Sequence, residues 1–427
     1  MASFFIPLTG LEADSTALNT IANDLANMNT TAFKGQSVNF ADFFFQQVGS
    51  SGSGDPLEVG LGVGVSSTET QFEQGTIDST GNATDVALNG NGFFVIQDGG
   101  VQDFTRDGNF SLNSLGDLIT SSGAQVMGYP AANGVVNTNA PLAPINVPIG
   151  AVEQPQATTT LNMTTNLDAT SALGTTFPAQ ITVYDSLGVS HVATVTYTQT
   201  GVNTWGYSVA LPAGDFTSGV STPVTGTLNF DSSGNLVSVK QGAGATTPVG
   251  TGAGQVSSIA LAFSGLKDGA ANLNMSWNLL GSGGTPSISQ VAAASAVSAT
   301  DQNGYASGEY QSFDIASDGT VTATYSNGQQ QAIGQMALAN VPNLQGMELL
   351  GNGEYGATLA SGTPSIAASG TDGLGTLEDG ALEQSNVNIS AEFSDLIIAQ
   401  RGFEADSKTV TTFDTVTQDT INMIPTT

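Results

Sequence analysis

The stretch LEQSNVNISAEFSDLIIAQRGFEADSKTV, residues 382–410, decides the fold of this chain. Large apolar side chains recur every seven residues through it and beyond it, at Ile389, Leu396, Phe403, Val410 and Ile424, with Thr417 in the same register. This spacing predicts one continuous helix with a narrow apolar stripe. At 1.5 Å per residue the helix would be about 50 Å long, and a periodic pattern of that length without a stop signal is typical of a coiled-coil element.

Residues 1–30 carry a second helical pattern with the same interval. Its apolar positions are Phe4, Leu11, Leu18 and Leu25, with Leu8 and Ala22 between them and Ile21 and Met28 broadening the stripe. Pro7 suits a first helical turn. We therefore expect the two ends of the chain to pair as helices. The subunit-interface residues expected in this helical core are Phe4, Leu8, Leu11, Leu18, Ile21, Leu25, Met28, Ile389, Phe393, Leu396, Phe403, Val410, Phe413, Ile421 and Ile424.

The C-terminal helix needs more than one partner. Residues 409–420, TVTTFDTVTQDT, are rich in Thr and Val, which lose χ1 freedom in a helix. Burying about five large side chains contributes about 1.5–3 kcal/mol each. Ordering roughly 35 residues costs on the order of 1–2 kcal/mol each before hydrogen bonding is counted. We therefore expect the terminal segments to be disordered in a free monomer and to fold on association.

Between the ends, from about residue 60 to residue 360, the apolar period changes to two, which predicts short strands. Turn sequences such as Asp98-Gly99 and Asp107-Gly108 separate them, and Asx-Gly pairs favour hairpins. The predicted fold class is mainly β and multidomain. Paired, coiled-coil-like terminal α-helices accompany two β-rich domains built from hairpins, and the chain loops out and back.

Stretches rich in Pro, Gly and Ser indicate the domain boundaries, at 139–150, 280–287 and 360–375. The predicted division is a terminal helical core domain (1–32 and 383–427), a connecting region (33–72 and 361–382), a first β domain (73–150 and 285–360) and an outer β domain inserted in the first (151–284).

Composition excludes several classes of function. The chain of 427 residues has 36 acidic and 6 basic side chains and a net charge of −30, so it cannot neutralise a phosphate backbone, and we expect no nucleic-acid partner. No apolar run approaches the roughly 20 residues that span a bilayer, so we expect no membrane insertion. The start, MASFFIPLTGLEAD, has no basic region and does not resemble a cleavable signal peptide.

No catalytic, cofactor-binding or metal site is expected. The chain has no Cys and a single His191, which we interpret as a half-exposed strand residue. Trp205 and Trp277 are the only tryptophans available to stack on sugars. No two acidic residues stand in a sequence context that is typical of the paired carboxylates of glycoside hydrolases. A polysaccharide hydrolase is therefore only a rival hypothesis, as is a β-rich extracellular adhesin.

Both ends resemble the flagellar rod and hook axial protein family. LNTIANDLANMNTTAFKG (18–35) is similar to its N-terminal signature, and residues 382–410 are similar to its C-terminal signature. The residues that carry this resemblance are Asn19, Asn23, Asn27, Phe33, Lys34, Ser385, Asn386, Val387, Gln400 and Arg401. Residues 72–99 and 104–129 resemble the family's first β domain, and 151–284 resembles the extra outer domain of its hook members.

The chain departs from the family pattern at four places. Asp24 and Asp406 stand where the family prefers Asn, Ala32 where Gly is usual, and Phe403 where Tyr is common. These departures put local hydrogen bonds and the geometry of the corner after the first helix in doubt. Arg401 and Lys408 lie one period apart. They form either a solvated face or intersubunit ion pairs in the helical core.

The resemblance implies a structural subunit and no enzyme. Such a subunit polymerises helically into the flagellar hook, the curved universal joint that transmits torque from rod to filament, around a central export channel. The implied partners are further copies of itself, the distal rod protein, the hook-cap scaffold, the hook–filament junction proteins and the type III export apparatus. The implied location is the extracellular flagellum. A distal rod or hook–filament junction subunit is the alternative, because residues 45–58 resemble an insert that also occurs in distal rod relatives.

Overall fold

The computed structural model describes residues 5–50, 56–281 and 283–423, so the predicted interface residues Phe4 and Ile424 lie outside the described residues. Two α-helices stand at the ends of the chain, α1 (Phe5–Ala26) and α2 (Ile389–Asn422). Asn388 begins α2, since its Oδ1 accepts hydrogen bonds from the backbone N–H groups of Ser390 (3.1 Å) and Ala391 (3.3 Å). Neither helix, within these ranges, is long and apolar enough to cross a membrane.

The chain divides into two compact units. Unit 1 comprises residues 1–149, 312–324 and 330–427, and unit 2 comprises residues 150–311 and 325–329. Unit 2 is therefore an insertion in unit 1, and unit 1 holds both helices. The finer division into four segments given above stays a prediction.

Thirteen strands precede unit 2 in the described residues. They are β1 (Gln36–Asp42), β2 (Phe45–Ser50), β3 (Pro56–Gly60), β4 (Val63–Thr70), β5 (Ile77–Ser79), β6 (Val86–Asn89), β7 (Phe93–Asp98), β8 (Val101–Thr105), β9 (Ser111–Leu112), β10 (Leu118–Ile119), β11 (Gln125–Ala132), β12 (Val135–Val136) and β13 (Ala143–Pro144). β1 pairs with β4 and β2 with β3, both antiparallel. The predicted hairpin at Asp98-Gly99 joins β7 to β8: Asp98 pairs with Val101 across Gly99 and Gly100, whose φ angles are 54° and 91°. Such a two-residue turn needs positive φ at both positions, which glycine supplies.

The strands of unit 2 run from β14 to β25. They are β14 (Val152–Glu153), β15 (Thr160–Asp168), β16 (Thr176–Tyr184), β17 (Ser190–Gly201), β18 (Thr204–Ala210), β19 (Val224–Phe230), β20 (Leu236–Gln241), β21 (Thr246–Pro248), β22 (Ser258–Phe263), β23 (Leu273–Asn278), β24 (Ile288–Val291) and β25 (Ala296–Gln302). One sheet has the order β16-β17-β18-β19-β20-β21, and the other has β22-β23-β15-β24 with β25 beside β15. Both sheets contribute to one apolar core, in which Trp205 and Trp277 are fully buried.

The chain then returns through eight strands. They are β26 (Gly308–Ile315), β27 (Thr320–Tyr325), β28 (Gln330–Asn340), β29 (Glu348–Gly351), β30 (Glu354–Gly356), β31 (Ser365–Ala368), β32 (Thr376–Asp379) and β33 (Ala381–Glu383). In unit 1, β28-β11-β7-β8-β30-β29 lie side by side. Outgoing and returning segments also pair directly, β6 with β32 and β5 with β33. The predicted fold class is thereby confirmed, including paired terminal helices and a chain that loops out and back.

The interpretation of His191 as half-exposed is wrong, because the residue is only 5% exposed. Side chains along β17 alternate between the two faces, and His191 shares the inner face with Ala193, Val195 and Tyr197. The outward position beside it holds Val192, an apolar residue, so hydrophobicity alone did not reveal the register.

Candidate assembly interface

The helices α1 and α2 pack antiparallel, in a register that two glycines define. The carboxylate of Asp406 on α2 lies over Gly10 on α1, where it occupies the place of a β-carbon. The carboxylate of Asp14 lies over Gly402, with Oδ2 2.6 Å from where a β-carbon would stand. Residue numbers therefore increase along α1 in the direction in which they decrease along α2, as in any antiparallel pair. A side chain at either glycine would displace the facing carboxylate.

Most of the buried positions of this helix pair hold small residues, and not the predicted large ones. The buried positions in α1 are Pro7, Gly10, Ala13 and Asp24, and the only buried position among the described residues of α2 is Ala399. Gly and Ala let two helix backbones approach closely, so longer side chains are turned aside. The helices therefore pair within one chain while the residues of the two seven-residue stripes stay outside these buried positions.

The described members of the predicted helical core remain open to varying degrees. Those exposed are Leu8, Met28, Ile389, Phe393, Phe403 and Ile421, and those half-buried are Leu11, Leu18, Ile21, Leu25, Leu396, Val410 and Phe413. Further apolar side chains of the helices are exposed that the heptad analysis omitted, namely Phe5, Ile6, Ile397, Ile398 and Val416. Their role as an interface between subunits stays a prediction.

Acidic side chains follow the helix pair along much of its length. Burial, and then repulsion from Asp406, raises the pKa of Asp14. At the other end of α1, burial raises the pKa of Asp24, although its Oδ2 accepts a 2.8 Å hydrogen bond from the Gln36 backbone N–H. Glu392 on α2 has a raised pKa as well, from burial and from Asp24 nearby. Packing of the two helices therefore has to outweigh the repulsion between these carboxylates.

A buried cluster of charges joins both ends of the chain to the β strands of unit 1. Lys34 donates from Nζ to Glu383 Oε1 at 2.6 Å, and Arg106 donates from Nε to Glu383 Oε2 at 3.1 Å. The side chains of Lys34 and Glu383 have no exposed surface, and that of Arg106 is almost fully covered. We name these three residues the junction cluster.

Every strong donor of the junction cluster has a partner. Lys34 Nζ also donates to the carbonyl of Glu73 at 2.8 Å, and Glu383 Oε1 accepts from the Gly75 N–H at 2.8 Å. The guanidinium of Arg106 donates to the carbonyls of Leu88, Gly90 and Gly92 at 2.9–3.3 Å. Burial lowers the pKa of Lys34, while Glu383 acts in the opposite direction. Full hydrogen bonding is what makes a buried charge cluster of this kind tolerable.

Asn386 adds a second set of bonds beside the junction cluster. Its Oδ1 accepts from the Gly35 N–H at 2.9 Å, and its Nδ2 donates to the carbonyls of Gln71 (2.7 Å) and Glu73 (3.0 Å). The segment just before α2 is thereby joined both to the segment just after α1 and to the residues that follow β4. Ala32 stands at this corner with φ of 53°, in the left-handed region where the family usually has Gly, and its N–H donates to the Glu383 carbonyl at 2.8 Å.

The signature residues thus fall into three groups. Lys34 and Asn386 bind the two ends of the chain together. Asn23 and Asn27 bond within the end of α1, where Asn27 Nδ2 donates to the Asn23 carbonyl at 2.9 Å, and Ser385 Oγ accepts from the Val387 N–H at 3.3 Å. The remaining signature residues lie at the surface or half-buried, with Asn19, Gln400 and Arg401 exposed and Phe33 half-buried. Neither Arg106 nor the central position of Glu383 was predicted from the sequence, although a basic residue in a strand-rich stretch with few cations was a usable signal.

Comparison with protein families matches four ranges of the chain. The family descriptions that match are Flagella basal body rod protein (residues 8–34), Flagellar hook protein FlgE/F/G D1 domain (87–166), Flagellar basal body protein FlaE D2 domain (153–305) and Flagellar basal body rod FlgEFG protein C-terminal (378–423). The class of protein is therefore that of the flagellar rod and hook axial proteins.

Relatives of full length narrow this class. The chain is 34% identical to the flagellar hook protein FlgE of Treponema pallidum, over 99% of both chains. It is 33% identical to the FlgE proteins of Salmonella typhimurium and Escherichia coli K12, over 99% of this chain and all of theirs. The chain belongs to the flagellar hook protein FlgE family.

A solved structure shares the fold. The crystal structure of Helicobacter pylori flagellar hook protein FlgE2 matches with a TM-score of 0.53 at 14% identity, over 72% of this chain and all of the other. Proteins of this family belong to the bacterial flagellum, and those named here are structural.

Proposed function

We propose that this chain is a structural subunit that polymerises helically, through its paired terminal helices, into the flagellar hook. In that role it forms the flexible curved universal joint between rod and filament, around a central export channel. Its membership of the hook protein family supports this function, and so does the fold, in which α1 packs against α2. The proposal includes no catalytic step.

One observation carries the proposal: the helix pair leaves large apolar side chains uncovered. Phe5 is 67% exposed, Phe393 52% and Ile398 68%. A row of uncovered Phe and Ile on a long helix is costly in water, since each buried large side chain contributes about 1.5–3 kcal/mol. Further copies of the same helix pair are the covering that the proposed polymer supplies.

A second apolar patch lies beside the start of α1. Phe5 and Thr9 line it together with Phe43, Phe44 and Leu61, and Phe44 is 88% exposed. The patch adjoins the paired strands β2 and β3, which cover most of the stretch 45–58 that resembles an insert of distal rod relatives. We propose that it contacts a neighbouring subunit. A distal rod subunit remains the alternative, but the full-length relatives reported above are hook proteins, which favours the hook.

The partners and route follow from the same proposal. The subunit would leave the cell through the flagellar type III export apparatus without cleavage of a signal peptide. It would assemble beneath a hook-cap scaffold and meet the distal rod protein at one end and the hook–filament junction proteins at the other. The expected disorder of the terminal segments in a free monomer suits passage through a narrow channel.

The test is electron microscopy of the purified chain beside matched variants. Phe393→Ser and Ile398→Ser remove apolar surface from α2, and Leu173→Ser removes it from an equally open position of unit 2, where Leu173 is 71% exposed. Tubes from the wild type and from Leu173→Ser, and monomers from both α2 variants, are expected. Truncation of 389–427 gives the same result while keeping the junction cluster and Asn386.

Tubes from both α2 variants, with unchanged critical concentration, would refute assembly through the helices. Far-ultraviolet circular dichroism on the same samples tests the coupled folding, because helical signal should rise as tubes form. Deletion of 153–305, the residues that match the D2 domain description and that include all strands of both sheets of unit 2, distinguishes hook from rod: loss of tube curvature supports the hook, and straight tubes from both the full and the shortened chain support the rod.

A further inference from the structure

Four titratable side chains converge in unit 2, well away from the junction cluster in sequence. Asp185 stands in the turn between β16 and β17, and His191 is the second residue of β17. Asp215 ends a short 3₁₀ segment (Ala213–Asp215), and Asp268 lies between β22 and β23. The side chain of His191 is 5% exposed and that of Asp185 has no exposed surface. The hook assembly proposed above uses none of these groups.

The imidazole of His191 is oriented by one carboxylate and faces two others. Nδ1 lies 2.9 Å from Asp215 Oδ2, while Nε2 lies 3.1 Å from Asp185 Oδ2 and 3.8 Å from Asp268 Oδ2. A proton on Nδ1 donated to Asp215 leaves Nε2 with its lone pair directed between the other two carboxylates. A histidine that binds a metal through one nitrogen usually donates the other N–H to a carboxylate in this way.

Backbone hydrogen bonds hold the carboxylates of Asp185 and Asp268 so that one oxygen of each faces Nε2 of His191. The Oδ1 atom of Asp185 accepts from the N–H groups of Leu187 (2.8 Å) and Val189 (2.9 Å). The Oδ1 atom of Asp268 accepts from the Ala270 N–H at 3.0 Å. These bonds fix each side chain through Oδ1, so both Oδ2 atoms are presented to the imidazole.

The spacing fits a metal ion with short bonds. One ligand atom each from Asp185, His191 and Asp268 lie within 4.8 Å of one another. Zinc bonds of about 2.0–2.2 Å in a tetrahedron put neighbouring ligand atoms roughly 3.3–3.6 Å apart. The separations of 3.1 and 3.8 Å at Nε2 bracket that value.

We propose that Asp185, His191 and Asp268 bind a divalent first-row transition-metal ion, with water completing its coordination and Asp215 positioning the imidazole. One nitrogen and two carboxylate oxygens suit Zn²⁺ better than Ca²⁺, which takes six to eight oxygens. The ion joins the β16–β17 turn of one sheet to the β22–β23 loop of the other. Its effect is to stabilise unit 2.

The competing explanation is a second proton on the imidazole. Burial alone lowers the pKa of His191, but the hydrogen bonds with Asp185 and Asp215 outweigh it and raise the pKa. An imidazolium between carboxylates needs no metal, and it would stabilise unit 2 less as the pH rises through that pKa. The two explanations differ in their response to zinc at constant pH.

The experiment is thermal unfolding of the full chain, followed by tryptophan fluorescence with and without ZnCl₂ after treatment with a chelator. Both tryptophans of the chain are in the core of unit 2, so the signal reports that unit. A free ion at about 100 times its Kd should raise the midpoint by about 5 °C or more. CaCl₂ at equal concentration should raise it far less.

Two substitutions of aspartate make the test specific. Asp268→Asn removes a ligand charge and keeps the Oδ1 acceptor of its turn, and the side chain is 23% exposed, so the variant should fold. Asp231→Asn changes a similar turn of unit 2, where Asp231 Oδ1 accepts from the Ser233 N–H at 2.8 Å. Zinc should stabilise the wild type and Asp231→Asn but neither Asp268→Asn nor His191→Gln. An equal zinc shift in Asp268→Asn, or no shift in the wild type, overturns the proposal in favour of the imidazolium.

Discussion

Substitution of Glu383 by Gln should destabilise unit 1 strongly. The change keeps the size of the side chain but removes the only negative charge of the junction cluster. Lys34 and Arg106 would then be two cations in a buried site with no anion between them. The Gln amide offers a single oxygen where three donors now converge on the Glu383 carboxylate, so at least one donor would meet an NH₂ group.

The magnitude follows from the burial of the cluster. Removing one member of a buried, hydrogen-bonded ion cluster costs about 3–5 kcal/mol, mostly because the remaining charge is left unpaired. With a denaturant slope of about 3 kcal/mol/M for a unit of this size, the urea midpoint of unit 1 should fall by about 1–1.7 M. Lys34→Met should cost less than Glu383→Gln, because Arg106 still pairs with Glu383.

The assay has to distinguish the two units. Pulsed hydrogen–deuterium exchange across a urea series, read on peptides from β5 to β8, reports unit 1 whether or not the helices are ordered. Tryptophan fluorescence reports unit 2 in the same samples. The matched control is Glu378→Gln in β32, an exposed side chain whose loss should change stability by no more than about 0.5 kcal/mol.

The reasoning fails if Glu383→Gln and Glu378→Gln shift the unit 1 midpoint equally, or if Lys34→Met is the more harmful change. A parallel loss of the tryptophan midpoint in Glu383→Gln would also contradict it, because the cluster lies in unit 1.

Three further predictions concern unit 1. Asp406→Asn introduces the residue that the family resemblance implies at this position, and it removes a charge that raises the pKa of Asp14. The helix pair should become more stable at pH 7 and its stability less dependent on pH, as measured by the helical circular dichroism of assembled tubes. The sign of this pH dependence is fixed by Asp14. A carboxyl whose pKa is raised in the folded state binds more protons when folded, so stability is lost as the pH rises from 3.8 through the raised pKa. Burial raises the pKa of Asp107 from 3.8 to about 6, so Asp107→Asn should flatten the fall in the urea midpoint of unit 1 between about pH 4 and pH 6; an unchanged slope would contradict that shift. Ala32→Gly should change stability by less than about 1 kcal/mol, because relief of left-handed strain is offset by the lost methyl and a freer unfolded chain; a larger loss in the urea midpoint would show that the corner depends on the methyl.

Local patterns predicted the elements of this fold well. The seven-residue interval indicated both terminal helices, and the Asp98-Gly99 turn fixed one hairpin because positive φ leaves few choices of residue. Pairing of the chain ends followed from the absence of any other helical pattern. The resemblance at both ends already indicates the family.

The details of the site were beyond sequence reasoning for identifiable physical reasons. Heptad analysis gives weight to large side chains, whereas the seam depends on Gly10 and Gly402, which have none. The junction cluster joins residues more than 270 positions apart, and no spacing rule covers such a distance. His191 was misjudged because its strand has an apolar residue on the outward face as well.

The junction cluster also bears on how the subunit carries force. Lys34 follows α1 and Glu383 precedes α2, so the two helices connect to the β strands at one place through two separate covalent links. A force on either helix acts first on the ion pair between Lys34 and Glu383, which joins the two links, and only then on the β strands of unit 1. Mechanical load that enters through the helix pair is thereby divided between two chain segments. Because the Lys34–Glu383 ion pair cross-links these segments, neither of them acts as a single free hinge.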